Sequence, residues 1–280
     1  MRNINIDKKH LKETIIDNVK VLFRKEISEA SNEQVYQALS YAIKDIIMDE
    51  WIATHKEYFM PLDDVYLPVH VGKEGKADIG YQGDNEGENI SIKNPYFCEL
   101  TGLYWAWKNL PNDYLGLIHY RRFFTTKGRF ERKNQPLEDL YLTHKEASDL
   151  LADYDVIVPS KRNYYIETLY SHYANTLHAE HLDITREIIR EKCGEYLESF
   201  DKVMKQRSGY MFNMFIMSKE LTDSYCSWLF PILFELEKRL PAAKYSAFHA
   251  RFYGRVSELL FNVWLVQYNK NTPIKIKELP

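Results

Sequence analysis

The sequence predicts an α/β fold in which a mixed sheet is flanked by helices, preceded by a helical hairpin and completed by a helical final third. Apolar, β-branched runs of strand length recur at VYLPVHV (65–71), YLGLIHYRRFF (114–124) and DVIVP (155–159). Between them the apolar residues return at helical spacing, and upstream of about residue 54 they show helical spacing alone.

In order along the chain, Leu11, Ile15, Val19, Leu22, Phe23 and Ile27 mark a first helix, and Val35, Leu39, Ala42, Ile43, Ile46, Ile47 and Trp51 a second. Ser31 and Gln34 fit a capping box between them. This hairpin is assigned to residues 1–53 and a catalytic domain to 54–280. After the strand at 65–71 comes a Gly/Asp/Asn-rich loop at 79–93. Asn94 as N-cap and Pro95 at the first helical position then start a helix over 96–109, with Phe97, Leu100, Tyr104 and Trp107 on one face. The strand 114–124 leads to a basic loop at 125–137, a helix near 143–153 and the strand 155–159. ETLYSHYANTLH and DITREIIREK read as helices, MFNMFIM (211–217) as a short buried strand, and the segments 224–240 and 250–268 as long helices.

Composition narrows the function classes. A net charge of −3 over 280 residues gives no general attraction to nucleic acid or anionic membrane, so local basic clusters must carry any anion binding. The three cysteines include no CxxC pair, which argues against a disulfide framework or thiolate metal site and fits a reducing cytoplasm. No apolar run approaches the roughly 20 residues of a membrane span. The opening MRNINIDKKHLKE lacks the apolar core of a signal peptide, so a soluble cytoplasmic protein is expected. The 21 tyrosines and 14 phenylalanines suit sugar-stacking surfaces, cores and interfaces alike.

The chemistry concentrates where the 96–109 helix meets the 114–124 strand. The two-residue period puts His119 and Arg121 on one face at the carboxyl end of a buried strand, the end at which open α/β sheets bind ligands. Arg121 and Arg122 offer forked donors for a diphosphate, and Arg121 would stabilise charge on a departing nucleotide. Asp84, Asn85, Asn89 and Asn94 could bond ribose or sugar hydroxyls, or simply form turns. Glu99, one turn into the helix, faces the same loop. Lys161 and Arg162 follow the strand 155–159 and could meet phosphate. His172, His178, His181 and Asp183 match no usual zinc spacing, and His172 and His178 are placed at an acceptor site instead. Glu258, Asp183 and Glu99 are candidate bases for an acceptor hydroxyl. Asn213, a polar residue inside MFNMFIM, needs a hydrogen-bonding partner that a substrate hydroxyl could supply.

At these residues the chain resembles a known family. ATHKEYFMP, YLPVHVG, GYQGDNEGENIS, NPYFCELTGLYWAWKN, DYLGLIHYRRFF, KRNYYIETLYSHY, MFNMFIM and GRVSELLFNVWL are similar to the domain of unknown function 4422 family. That family is found among bacterial capsular and exopolysaccharide proteins and grouped with GT-A glycosyltransferases. The resemblance implies a GT-A-like, Rossmann-type fold and sugar transfer from a nucleotide-sugar, guessed as a uridine diphosphate sugar, to a glycan or lipid-linked acceptor. It implies a donor site including Thr54 and His55, from the ATHK motif. In GT-A enzymes an Asp-x-Asp motif holds Mn or Mg against the diphosphate; here His119, Tyr120 and Arg121 take that place, which favours transfer without a metal. A metal held through Asp84 or a histidine is the alternative.

Residues 7–58, through VYQALSYAIKDIIMDEWIATHKEY, resemble the amino-terminal region of bacterial glycogen and maltodextrin phosphorylases. Nothing after Tyr58 does, so neither phosphorylase activity nor pyridoxal phosphate is expected. The junction raises the expectation that the first GT-A strand is missing, shortened or confined to residues 51–54. Beside the transferase reading stands another: a disabled nucleotide-sugar or glycan-binding protein whose hairpin mediates self-association. A lipid-linked acceptor would bring either to the inner face of the membrane.

Overall fold

The computed structural model describes residues 48–54, 61, 63, 65–119, 121–136 and 139–280, with 48–53 described by their backbone alone. The hairpin helices expected over 11–47, and His55 and Tyr120, lie outside the described residues. Residues 48–280 form one unit.

The first described element is a strand, β1 (Met48–Thr54), seven residues long. Trp51 therefore belongs to a strand and not to the expected second helix. The first strand is neither missing nor confined to 51–54: it is hydrogen-bonded in parallel to β2 (Tyr66–His70) on one side and β4 (Tyr114–His119) on the other. The β-branched and aromatic side chains of WIAT suit an interior strand better than a helix end. Because β1 lies inside the sheet, the sheet draws on residues upstream of position 54.

With β3 (Gln82–Gly83), β5 (Val156–Pro159), β8 (Phe215–Ser218) and β9 (Ile276–Leu279), these strands form a seven-stranded sheet of order β3-β2-β1-β4-β8-β5-β9. β8 runs antiparallel to both its neighbours, and the other pairings are parallel. A separate ribbon pairs β6 (Arg162–Asn163) with β7 (Ser208–Gly209). Just past β7, Asn262 caps the main chain of Tyr210: its Oδ1 accepts from the Tyr210 N–H and its Nδ2 donates to the Tyr210 carbonyl, each at 2.8 Å.

Alternation along the strands builds the core. Leu115, Leu117, Val156, Val158, Phe215 and Met217 face one layer, whereas Ile118, Ile157 and Ile216 face the other. The first layer is covered by α1 (Asn94–Phe97), α2 (Leu100–Asn109) and several later helices. After a short exposed α3 (Glu131–Asn134), α4 (His144–Asp153) covers the second, started by a Thr143–Glu146 capping box. On the first layer α5 (Leu169–Thr176), α6 (Ala179–Lys192) and α7 (Leu197–Met204) pack with α8 (Lys219–Arg239) and α9 (Phe252–Asn271).

Three local expectations need correction. The helix over 96–109 is broken at Cys98, whose φ of 55° interrupts the ladder between α1 and α2. Asn94 is not an N-cap: it lies within α1, and its amide donates instead to the Cys98 carbonyl at 2.8 Å, closing that break. MFNMFIM is a strand only from Phe215, because Phe212 (φ 75°) and Asn213 (φ 53°) turn the chain through the left-handed region. Among the described residues no helix is long and apolar enough to cross a membrane.

Candidate functional site

The strand order places β2 and β4 on opposite sides of β1, so the chain reverses its direction of progress across the sheet at β1. A cavity of about 900 Å³ lies beyond the carboxyl end of β4, where such a reversal opens a crevice. His119 ends β4 and lines it. Arg121 does not: Arg122 pairs back to His119 through reciprocal main-chain hydrogen bonds at 3.0 Å, a tight turn that leaves Arg121 exposed and brings Arg122 to the cavity wall.

The antiparallel register Leu117↔Phe215 brings the left-handed turn opposite His119. The Phe212 carbonyl accepts from His119 Nε2 at 2.6 Å, and the Phe212 ring lies 4.3 Å beneath the Arg122 guanidinium. Arg255 stacks on Phe248 at 4.0 Å and Arg162 on Tyr164 at 5.3 Å. Arg122, Arg162 and Arg255 all line the cavity, and none of them is ion-paired with a carboxylate among the described residues. Stacking fixes a guanidinium plane while leaving its N–H edge free, which suits an anion. Lys76 and Arg251 add charge to the same wall.

Two carboxylates stand among these cations. Glu99 accepts from Asn213 Nδ2 at 2.7 Å, and Asn213 is itself buried and bonded to the Gly254 carbonyl and Ser257 hydroxyl. Asn213 thus finds its partners within the protein and does not line the cavity. Glu258 projects from α9 and accepts the Phe212 N–H. Burial, reinforced by the neighbouring Glu99 charge, pushes its carboxyl up to about 7, against the pull of Phe212, Arg255 and Arg122. A carboxyl so tuned exchanges protons near neutrality.

The remaining sequence candidates divide. Asn94, Glu99, Arg162 and His172 line the cavity, His172 with its Nδ1 2.7 Å from Glu167. Asp84 does not, because it is fully buried and saturated: its carboxylate accepts the main-chain N–H groups of Gly72 (2.8 Å) and Lys73 (3.0 Å) and the hydroxyls of Ser91 and Thr101. Asn89 forms a local turn with Ser91, and Asn85 reaches Glu74. Thr54 is buried at the end of β1, and Lys161 stacks on Tyr210 outside the cavity. His178 bonds to His249 at 2.8 Å and Asp183 accepts from Tyr170; neither lines the cavity. Lys76, Tyr164, Phe212, Arg251 and Arg255 line the cavity without having been candidates from the sequence. The i, i+4, i+7 spacing of Arg251, Arg255 and Glu258 along one helix face was the available signal.

Among the described residues, those at the place of an Asp-x-Asp motif offer no free carboxylate to a divalent cation. His119 Nε2 is engaged by a carbonyl, Asp84 is saturated, and Arg122 occupies the adjacent wall. Among the described residues no three His, Cys, Asp or Glu side chains group as metal ligands.

The fold is similar to that of WbbM, a bifunctional glycosyltransferase solved in its apo form: the TM-score is 0.75 at 29% identity, over 83% of this chain and 44% of that one. The chain thus spans less than half of that enzyme, and the GT-A-like fold expected from the sequence is the one observed. No curated protein matches the chain, phosphorylases included. The family profile described as Domain of unknown function (DUF4422) matches residues 51–270, and the chain belongs to that family.

Proposed function

We propose that this chain transfers a glycosyl group from a nucleotide-sugar, taken first as a uridine diphosphate sugar, to a glycan or lipid-linked acceptor in the cytoplasmic assembly of a bacterial capsule or exopolysaccharide. The observation that carries this reading is the meeting of ring-stacked arginines, none ion-paired among the described residues, with a neutral-range carboxyl in one cavity at the sheet's crossover. The likeness to WbbM supports it.

In this reading the acceptor hydroxyl attacks the anomeric carbon and gives its proton to the Glu258 carboxylate. The bond from that carbon to the diphosphate oxygen breaks, and the nucleoside diphosphate leaves against Arg122 and Arg162. A single displacement of this kind inverts the anomeric centre. No step is routed through a metal, since fixed guanidinium edges neutralise the leaving group. β1, paired along both edges, supplies the strand that a donor site of this fold rests on.

The test is calorimetric titration of the full chain with uridine diphosphate, with and without chelator, alongside Arg122→Ala. Binding that survives chelation and is lost in the variant is expected. Binding abolished by chelation would overturn the arginine reading, and no binding of any nucleoside diphosphate would overturn the donor site itself.

A further inference from the structure

We propose that the tip beyond the β6–β7 ribbon, at the mouth of the cavity, is a docking element for the surface of an anionic lipid bilayer. Tyr165 and Ile166 are consecutive there, 79% and 87% exposed. An exposed aliphatic side chain alone needs no explanation, but this pair is held out by an ordered backbone. Tyr165 stands at φ 56°, and its carbonyl accepts from Arg207 Nη1 at 3.3 Å. The Tyr164 N–H is bonded to the Arg207 carbonyl at 2.8 Å, the Ile166 N–H to the Tyr164 carbonyl and the Leu169 N–H to the Gln206 carbonyl, each at 2.7 Å. The tip is therefore already shaped, and meeting a surface costs little further ordering.

The charges around it choose the surface. Lys161 and Arg162 at the start of β6 and Lys205 and Arg207 on the facing segment are all exposed. Of the acidic residues nearby, Glu167 is engaged by His172 and Asn175 at 2.7 Å each, and Glu278 accepts from the Tyr210 hydroxyl at 2.8 Å. A chain of net charge −3 thus gathers four exposed cations around the most exposed consecutive apolar pair among the described residues. Apolar tips ringed by Lys and Arg match the interface of a bilayer, where aliphatic groups enter the acyl boundary and cations meet anionic headgroups. Ile166 separates this partner from a glycan or a nucleic acid, because a branched aliphatic chain has no ring face for a sugar or base to stack on.

Arg162, Tyr164, Leu169 and His172 also line the cavity, so docking would set its mouth at headgroup level. That consequence, delivery of a lipid-linked acceptor, rests on the transfer reading above; the docking itself does not.

The experiment is co-sedimentation of the full chain with phosphatidylglycerol/phosphatidylcholine vesicles and with phosphatidylcholine alone. Retention on the anionic vesicles is expected. It should fall about tenfold or more in Tyr165→Ser/Ile166→Ser and about fivefold for each cation removed by Lys205→Ala or Arg207→Ala. Both side chains of the tip are exposed, so thermal unfolding and uridine diphosphate binding should be unchanged in the double variant, which separates loss of docking from loss of the donor site. Absence of retention, retention indifferent to the double variant, or preferential capture of a single-stranded RNA oligonucleotide would each overturn the proposal.

Discussion

The Nε2 atom of His119 lies 2.6 Å from the carbonyl oxygen of Phe212, joining the end of β4 to the left-handed turn that precedes β8. A carbonyl can only accept, so the imidazole carries its proton on Nε2. Phe212 also donates its N–H to Glu258 and supports Arg122 on its ring, so this residue alone sets three groups of the cavity.

Phe212→Ala should therefore weaken nucleoside diphosphate binding by about two- to fivefold, the range for loss of one partly exposed cation–π platform. Arg122→Ala should cost about tenfold or more, as a charge-assisted phosphate contact is lost. Arg121→Ala should bind as the parent does, because Arg121 is exposed outside the cavity. Titration calorimetry of the three variants distinguishes these outcomes.

Glu258→Gln should lower kcat by about a hundred- to ten-thousandfold while leaving nucleotide binding intact. The basic form appears above the raised pKa, so turnover should rise with pH through about 7. Glu99→Gln, by removing the neighbouring negative charge, should move that limb to lower pH. Stability carries the opposite sign. Between the ordinary value of 4.5 and about 7 the folded protein binds the extra proton, so Glu258's contribution is complete below 4.5 and is lost as pH rises through 7. Chemical denaturation at stepped pH, parent against Glu258→Gln, checks this.

Asn213→Ala should destabilise the fold by about 1–3 kcal/mol, since Glu99, Ser257 and the Gly254 carbonyl each lose a partner in the interior. Its urea midpoint should fall without a change in slope.

Asp84→Ala should act as a structural lesion, costing about 2–4 kcal/mol, because two main-chain N–H groups and two hydroxyls converge on that carboxylate. A variant that stayed stable yet lost nucleotide affinity would instead return Asp84 to the donor site.

Burial, with His178 and His249 close by, lowers the pKa of His181 from 6.5 to about 4. The unfolded chain then binds the extra proton between those values, so stability should fall as pH drops from 6.5 toward 4. His181→Phe, which preserves the stacking on Phe252, should flatten that slope in acid denaturation followed by circular dichroism.

The strands at 65–71 and 155–159 and the helices of the final third were legible because hydrophobic period alone decides them. His119, Glu99 and Glu258 were legible as chemistry, but their meeting was not, since it depends on the register of β8 against β4. Phe212 gives no sign in the sequence of a left-handed backbone, which is why MFNMFIM read as an unbroken strand. Asp84 illustrates the reverse difficulty: a carboxylate in a Gly/Asn-rich loop looks the same whether it awaits a sugar or is already saturated by its own loop. The choice between Arg121 and Arg122 turned on a single tight turn that no periodicity records.

The Asn262 amide, bonded to both main-chain groups of Tyr210, serves a residue that is buried one position past the end of β7. A buried N–H and C=O without a strand partner would each cost a hydrogen bond. By supplying both bonds from a helix side chain, α9 lets the chain leave the ribbon inside the core, so Asn262 does for one residue what a neighbouring strand would otherwise do.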